Sequence, residues 1–224
     1  MPLSKRLESL RIYETDLKLV RWGKPNDGGY IVAADVPVDL ILSGGIAGEN
    51  SFETHALDMW RHALCLAHDP TGSPGDTSNM RYTFHEVPLG YSGLYVKRNV
   101  LVKMDIEGGE WEWLRGLTDS QLSHVSMLVC ELHDMGNRTD ADWDQLTRIA
   151  KTHTCIWAHA NTGWDWLVDV DGVQIPKTLE CTWVRTDLIS KKRPSRRPVP
   201  GELDMPNVPG RPDADLSWEP FVHD

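Results

Sequence analysis

The densest chemistry in the chain is the run Lys103-Met104-Asp105-Ile106-Glu107-Gly108-Gly109-Glu110-Trp111. It sets three carboxylates within six residues directly after the apolar stretch Val100–Met104. Carboxylates crowded in this way hold a cation, orient a hydroxyl, or meet the positive end of a following helix. Glu110 reads as a cap of the helix that follows, and Asp105 as the group that faces a site. Two more apolar runs end in titratable groups: Cys130-Glu131-Leu132-His133, and Cys155 through His159. Upstream lies Ser43-Gly44-Gly45-Ile46-Ala47-Gly48, whose glycines permit a sharp turn and a close approach of backbone to ligand. The helix expected next offers unpaired N–H groups. Asp69 follows about 20 residues later, where an acidic side chain accepts the hydroxyls of a ribose. Together the glycine turn and Asp69 point to a nucleoside-containing cofactor.

These residues need strands to carry them. Asp39–Leu42, Ala63–Ala67, Arg81–Val87, Val100–Met104, Ser126–Cys130 and Cys155–His159 read as strands, several of them apolar throughout as buried parallel strands are. Helices are expected from Ser51, read as an N-cap, and over Glu110–Leu117 and Ala141–His153. Strands alternating with helices imply right-handed crossovers and a doubly wound, mostly parallel α/β sheet. A hairpin-like end follows, in which Trp164–Val170 turns at Asp171-Gly172 and returns along Leu179–Arg185. Residues 1–20 read as an amphipathic helix with Leu3, Leu7 and Leu10 on one side. Asn26-Asp27-Gly28-Gly29 is a turn before the strand-like Tyr30–Ala33. Residues 1–38 are thus an N-terminal helix and hairpin lid, and 39–189 the main domain. The Pro-rich, charged stretch 190–224 reads as a mobile tail outside the core.

Composition limits the partners. The chain has 224 residues, and 23 basic against 33 acidic side chains give a net charge of −10. That opposes a nucleic-acid backbone or an anionic membrane surface as the main partner. No apolar run reaches bilayer length, and the N-terminal stretch is charged rather than signal-like, so a cytoplasmic location is expected. Cys65, Cys130, Cys155 and Cys181 are widely spaced within apolar runs and read as buried thiols rather than a disulfide or zinc framework. Ten tryptophans are many for this length, and any exposed ones suit ring stacking or pairing of subunits in a homo-oligomer. His55, His62 and His85 read as structural or solvent-facing, and His153 as a helix C-terminal charge.

KMDIEGGEW closely resembles the K-x-D-x-E-G-x-E-W signature of FkbM-type S-adenosylmethionine-dependent methyltransferases. Further segments match that family in order: DGGYIV (27–32), SGGIAGENSFE (43–53), HDPT (68–71), CELH (130–133) and HANTG with IPKTLECTWVR (159–185). The resemblance spans about residues 20–187. It departs from the family between the third strand and Lys103, where Leu89–Asn99 replaces a full helix and loop, and it finds no counterpart for the tail. It implies the class I methyltransferase fold, a Rossmann-like doubly wound sheet with an antiparallel C-terminal strand pair. It further implies methyl transfer from S-adenosylmethionine to a hydroxyl of a small polar molecule such as a sugar or secondary metabolite. By position, Gly44, Gly45 and Gly48 would line the cofactor, Asp69 would bind its ribose, and Asp105 would sit beside the methyl donor.

Methyl transfer to oxygen needs alignment and a base, or a metal that acidifies the hydroxyl. His133 or His159 is the candidate base. Asp105, Glu131 and His133 are candidate ligands for Mg2+ or Mn2+, or for the acceptor hydroxyls. Two other readings stand beside this one. An NAD-type dehydrogenase would use a similar sheet, but Ser43 occupies the place of its first glycine and no Tyr-Lys or Ser-Tyr pair is evident. An inactive binding module would keep the fold without the chemistry.

Overall fold

The computed structural model describes residues 4–95, 97–161 and 166–223. In chain order the elements are α1 (Lys5–Glu8), β1 (Tyr13–Thr15), β2 (Leu19–Gly23), β3 (Gly29–Ala33), β4 (Leu40–Gly44), α2 (Ser51–Met59), β5 (Leu64–His68) and β6 (Tyr82–His85). Then come β7 (Val100–Met104), α3 (Glu110–Gly116), α4 (Asp119–Leu122), β8 (Val125–Leu132), α5 (Asp140–Ala150), β9 (His153–Ala160), β10 (Leu167–Val170), β11 (Val173–Pro176), β12 (Leu179–Arg185) and β13 (Lys192–Pro194).

The central sheet runs β6-β5-β4-β7-β8-β12-β9. β4 pairs in parallel with both β5 and β7, so the winding reverses beside it. β12 alone enters antiparallel, between β8 and β9. This strand order is the class I methyltransferase arrangement expected from the sequence. Its consequence is a crevice beyond the carboxyl ends of β4 and β7, the switch point where open α/β sheets bind ligands.

The apolar strands alternate faces even where the sequence does not alternate in polarity. Leu40, Leu42, Val100, Val102 and Met104 join a core built on α3 and α5. Ile41, Leu101, Met127 and Val129 join the other, under α2 and the β2–β3 hairpin. All four cysteines are buried free thiols in strands, as read from the sequence. No helix among the described residues is long and apolar enough to cross a membrane.

Several expectations are corrected. The N-terminal helix is one turn, α1, capped by Ser4, and the chain then extends as β1 and β2; Leu3 lies outside the described residues. Tyr13–Thr15 pairs with β13 and Leu19–Gly23 with β3, and these ladders override the helical spacing of the leucines. Ser51 is the first residue of α2 rather than its cap, and its hydroxyl has no partner. His153 lies in β9, where burial drives its pKa down to about 4 and keeps it neutral. Leu167–Val170 turns back along Val173–Pro176, whereas Leu179–Arg185 enters the main sheet; Trp164 lies outside the described residues. Residues 190–223 pack onto the domain. Val199, Ala214, Leu216 and Phe221 sit in the same core as Leu7 and Leu10, because a few apolar side chains within a polar segment suffice to anchor it.

Candidate active site

The glycine loop leaves β4 with Gly45 at φ +78° against the Asp105 backbone carbonyl, close enough that a side chain there would collide with it. Gly44 lies under Leu89 and Ile106, and Gly48 turns the loop toward Ser73. Of the three expected cofactor glycines, Gly45 alone lines the cleft, with Ala47 beside it. The buried Lys103 ammonium reaches across from β7 and donates to the Gly45 carbonyl at 2.8 Å, fixing the loop from beneath.

Asp69, expected to hold a ribose, holds the loop. Its Oδ2 accepts from the Ile46 and Ala47 amides at 2.9 and 2.8 Å. Its Oδ1 accepts from the Thr71 amide and hydroxyl at 2.8 and 3.0 Å. Four donors match the lone-pair capacity of a carboxylate. Burial alone would raise its pKa, but these bonds prevail and bring it down to about 2. Asp69 still lines the cleft, so it shapes the site by positioning the turn.

The cleft holds about 700 Å³ and is walled by Gly45, Ala47, Asp69, Leu89, Ile106 and Trp113 among others, within the size range of small-molecule sites. Two of its lining groups are buried polar atoms without partners, His68 Nδ1 and Trp113 Nε1. His68 stacks on His85 with centroids 4.9 Å apart, and Trp113 stacks on Tyr91 at 5.1 Å. Stacked rings with unsatisfied edge nitrogens suit a flat, polar-edged ligand. The short Leu89–Asn99 connection thus still supplies a wall, through Leu89 and Tyr91.

Asp105, which lines the cleft, is brought together with Glu131 and His133, one ligand atom of each lying within 4.8 Å of the others. Tyr30, from β3, donates its hydroxyl to Asp105 Oδ2 at 3.0 Å and reaches Glu131 Oε2 at 3.3 Å. Asn161 donates to Glu131 Oε1 at 2.8 Å. Burial, with Asp105 and Glu180 close by, raises the Glu131 pKa well above the usual range. Tyr30 and Asn161 escaped the assignment of roles, yet both stand inside motifs that were legible, DGGYIV and HAN.

Glu110 caps no helix by its side chain. It is fully buried and accepts from the Ile106 and Gly108 amides at 2.8 and 3.0 Å, clamping the acidic loop, with Gly109 at the cap position. Its Oε1 also meets His133 Nδ1 at 3.2 Å, while His133 Nε2 lies 3.5 Å from Glu131 and 3.6 Å from Glu107. Desolvation pulls the His133 pKa down, but three acidic neighbours outweigh it and hold the pKa at about 9. His133 is therefore an imidazolium at neutral pH and is no ready base. His159, the other candidate base, is engaged at both nitrogens: Nδ1 to Glu180 at 3.0 Å and Nε2 to Asp213 at 2.9 Å. Despite burial, those two bonds hold its pKa at about 10, so it is a buried structural cation.

No protein-family profile matches the chain. No curated protein sequence matches it either. Among solved structures it is similar to the fibrillarin/Nop5p complex, with 8% identity over 69% of this chain and 74% of that chain, TM-score 0.42. It is also similar to a 16S rRNA (adenine(1408)-N(1))-methyltransferase from Catenulisporales acidiphilia, with 9% identity over 75% and 98% of the two chains, TM-score 0.36. The antibiotic-resistance methyltransferase Kmr shares 13% identity over 73% of this chain and 99% of its own, TM-score 0.37. At these identities none of them speaks to substrate.

Proposed function

We propose that this chain is an S-adenosylmethionine-dependent O-methyltransferase acting on a hydroxyl of a small polar molecule such as a sugar or secondary metabolite. One observation carries the reading. Asp105 lines the glycine-loop and stacked-ring cleft beside β4, β5 and β7, and it clusters there with Glu131 and His133 from the end of β8. A net charge of −10 favours a small neutral acceptor over RNA.

S-adenosylmethionine, when bound, supplies a methyl group on a sulfonium that is already a good leaving group. The fit of the cleft rests on its volume, the bare backbone at Gly45, and the two unpartnered nitrogens of His68 and Trp113. The protein must then align the acceptor and take its proton. Tyr30 occupies Asp105 Oδ2, which leaves Oδ1 to accept the hydroxyl proton as the oxygen gains the methyl group. Glu131 and imidazolium His133 offer an acceptor and a donor to neighbouring hydroxyls, which makes a polyol the best-matched substrate. A divalent cation, Mg2+ or Mn2+, held by Asp105, Glu131 and His133 would acidify the hydroxyl, and its binding would expel the His133 proton.

Calorimetric titration with S-adenosylhomocysteine, with and without Mg2+, tests the reading. Micromolar binding is expected, and it is lost in Asp69→Ala as the loop is released. No heat with the wild-type chain under either condition would reject the proposal. Turnover is then sought on a panel of polyhydroxylated acceptors, with mass spectrometry reading the methyl ether.

A further inference from the structure

We propose that Asp27, Glu131 and Glu180, with the side-chain oxygen of Asn207, form a Ca2+ site adjoining the catalytic cluster. The inference deepens the proposed function, because Glu131 belongs to both groups. The three carboxylates come from separate elements: the β2–β3 turn, β8 and β12. One oxygen of each lies within 4.8 Å of the others. That is about twice a Ca–O bond of ~2.4 Å, so a single ion between them can touch all three.

Glu131 and Glu180 are 3% and 1% exposed and stand directly opposite each other across the β8–β12 pair. Like charges in that position repel, and at low dielectric they do so strongly. Each of the two already has donors: Tyr30 and Asn161 serve the two oxygens of Glu131, with His133 Nε2 at 3.5 Å, and Asn207 and His159 serve those of Glu180, with the Arg21 charge nearby. No described residue donates a hydrogen bond to the Asp27 carboxylate.

Asn207 provides an independent observation. Its backbone carbonyl accepts from the Asp27 amide at 3.3 Å, and its Nδ2 donates to Glu180 Oε1 at 2.6 Å. The residue is therefore pinned to two of the three acids. It is 5% exposed, and its Oδ1 has no partner. Buried carbonyl oxygens are almost always satisfied, and this one lies one bond angle from an amide nitrogen already held by a carboxylate. A cation supplies the missing partner. Three carboxylates and a carboxamide form an all-oxygen set, the preference of Ca2+, whereas the neighbouring group includes an imidazole. Asp27 is exposed and gives the ion an entry path. Bound there, the ion would fasten the hairpin turn and the C-terminal segment over the acceptor side of the site.

The test is calorimetric titration of the metal-free full chain with Ca2+, on wild type, Asp27→Asn, Asn207→Ala and Asp105→Asn. Asp27 lies in an exposed turn, and melting curves without Ca2+ verify that each variant folds. One equivalent is expected on wild type, weakened at least about tenfold by Asp27→Asn and by Asn207→Ala. Asp105→Asn removes a charge beside Glu131 but no oxygen of the proposed site, so it should keep one equivalent and weaken binding less than either of these. Absence of Ca2+ binding to wild type, or wild-type affinity in Asp27→Asn, overturns the proposal. So does binding lost in Asp105→Asn but kept in Asp27→Asn, which would seat the ion in the catalytic cluster. S-adenosylhomocysteine titrated into the same preparations separates the two readings: its failure to bind removes the methyltransferase assignment and leaves the Ca2+ result standing.

Discussion

Replacing His159 by Gln should cost stability in a way that depends on pH, and the structure fixes the sign. The imidazole is 2% exposed, so solvent screens its two ion pairs little. Its pKa is about 10 in the folded protein and about 6.5 when unfolded. Below pH 6.5 both states hold the proton and the pairs contribute in full. Between 6.5 and 10 the unfolded chain gives up the proton while the folded one keeps it, and stability falls by about 1.4 kcal/mol per pH unit. The loss across the window is on the order of 4–5 kcal/mol. For a chain of this length, 1 kcal/mol moves Tm by about 2–4 °C, so the wild type should lose about 10 °C or more between pH 6.5 and 10. His159→Gln leaves Glu180 and Asp213 facing an uncharged amide, costing about 3–5 kcal/mol at pH 6.5 and making this descent shallower, with His133 supplying what remains of it. Trp157 stacks on His159 at 5.8 Å, so tryptophan fluorescence reports the melt at the pair itself. Parallel Tm profiles for the two proteins would refute the reasoning and reopen His159 as a titrating catalytic group.

Two other substitutions probe the cleft. Gly45→Ala puts a methyl against the Asp105 carbonyl at a φ of +78°, and should cost about 2–4 kcal/mol in a denaturant titration and abolish S-adenosylhomocysteine binding; a fully stable, binding-competent variant would contradict the loop geometry. Asp105→Asn removes the proton acceptor while keeping its shape, so turnover on an identified acceptor should fall by about 10²-fold or more while S-adenosylhomocysteine affinity stays within a few fold. Equal losses in both would recast Asp105 as a cofactor ligand.

Strand ends were legible because they are local features. A run such as Val100–Met104 declares a buried strand, and the residue after it must emerge at the crevice, so Asp105, Glu131 and His133 could be grouped from spacing and topology. Hydrogen-bond partners were not legible, since they are settled in three dimensions. Nothing within the sequence around Asp69 indicates that the Ile46 and Ala47 amides saturate it, and nothing near His159 reveals an acid 54 residues away. The same holds for β1, whose partner β13 lies at the other end of the chain, and for Leu179–Arg185, where an apolar run fits a hairpin or a central strand equally well. Those long-range choices decided which histidine is structural and which carboxylate faces the cleft.

The His159–Asp213 pair also sets a timetable for biosynthesis. Strands β8, β9 and β12 are all made before Asp213, and the last of them ends at Arg185, 28 residues earlier. At 5–20 residues per second that interval is about 1–6 s. During it the nascent sheet carries Glu180 without Asn207 and His159 without Asp213, and Leu7 and Leu10 without Leu216 and Phe221. The stretch from residue 190 onward therefore acts as a closing seal on a domain that is otherwise assembled, and a chain stalled or cleaved before residue 213 would present an unsealed acidic edge and an open apolar seam to the cell's quality control.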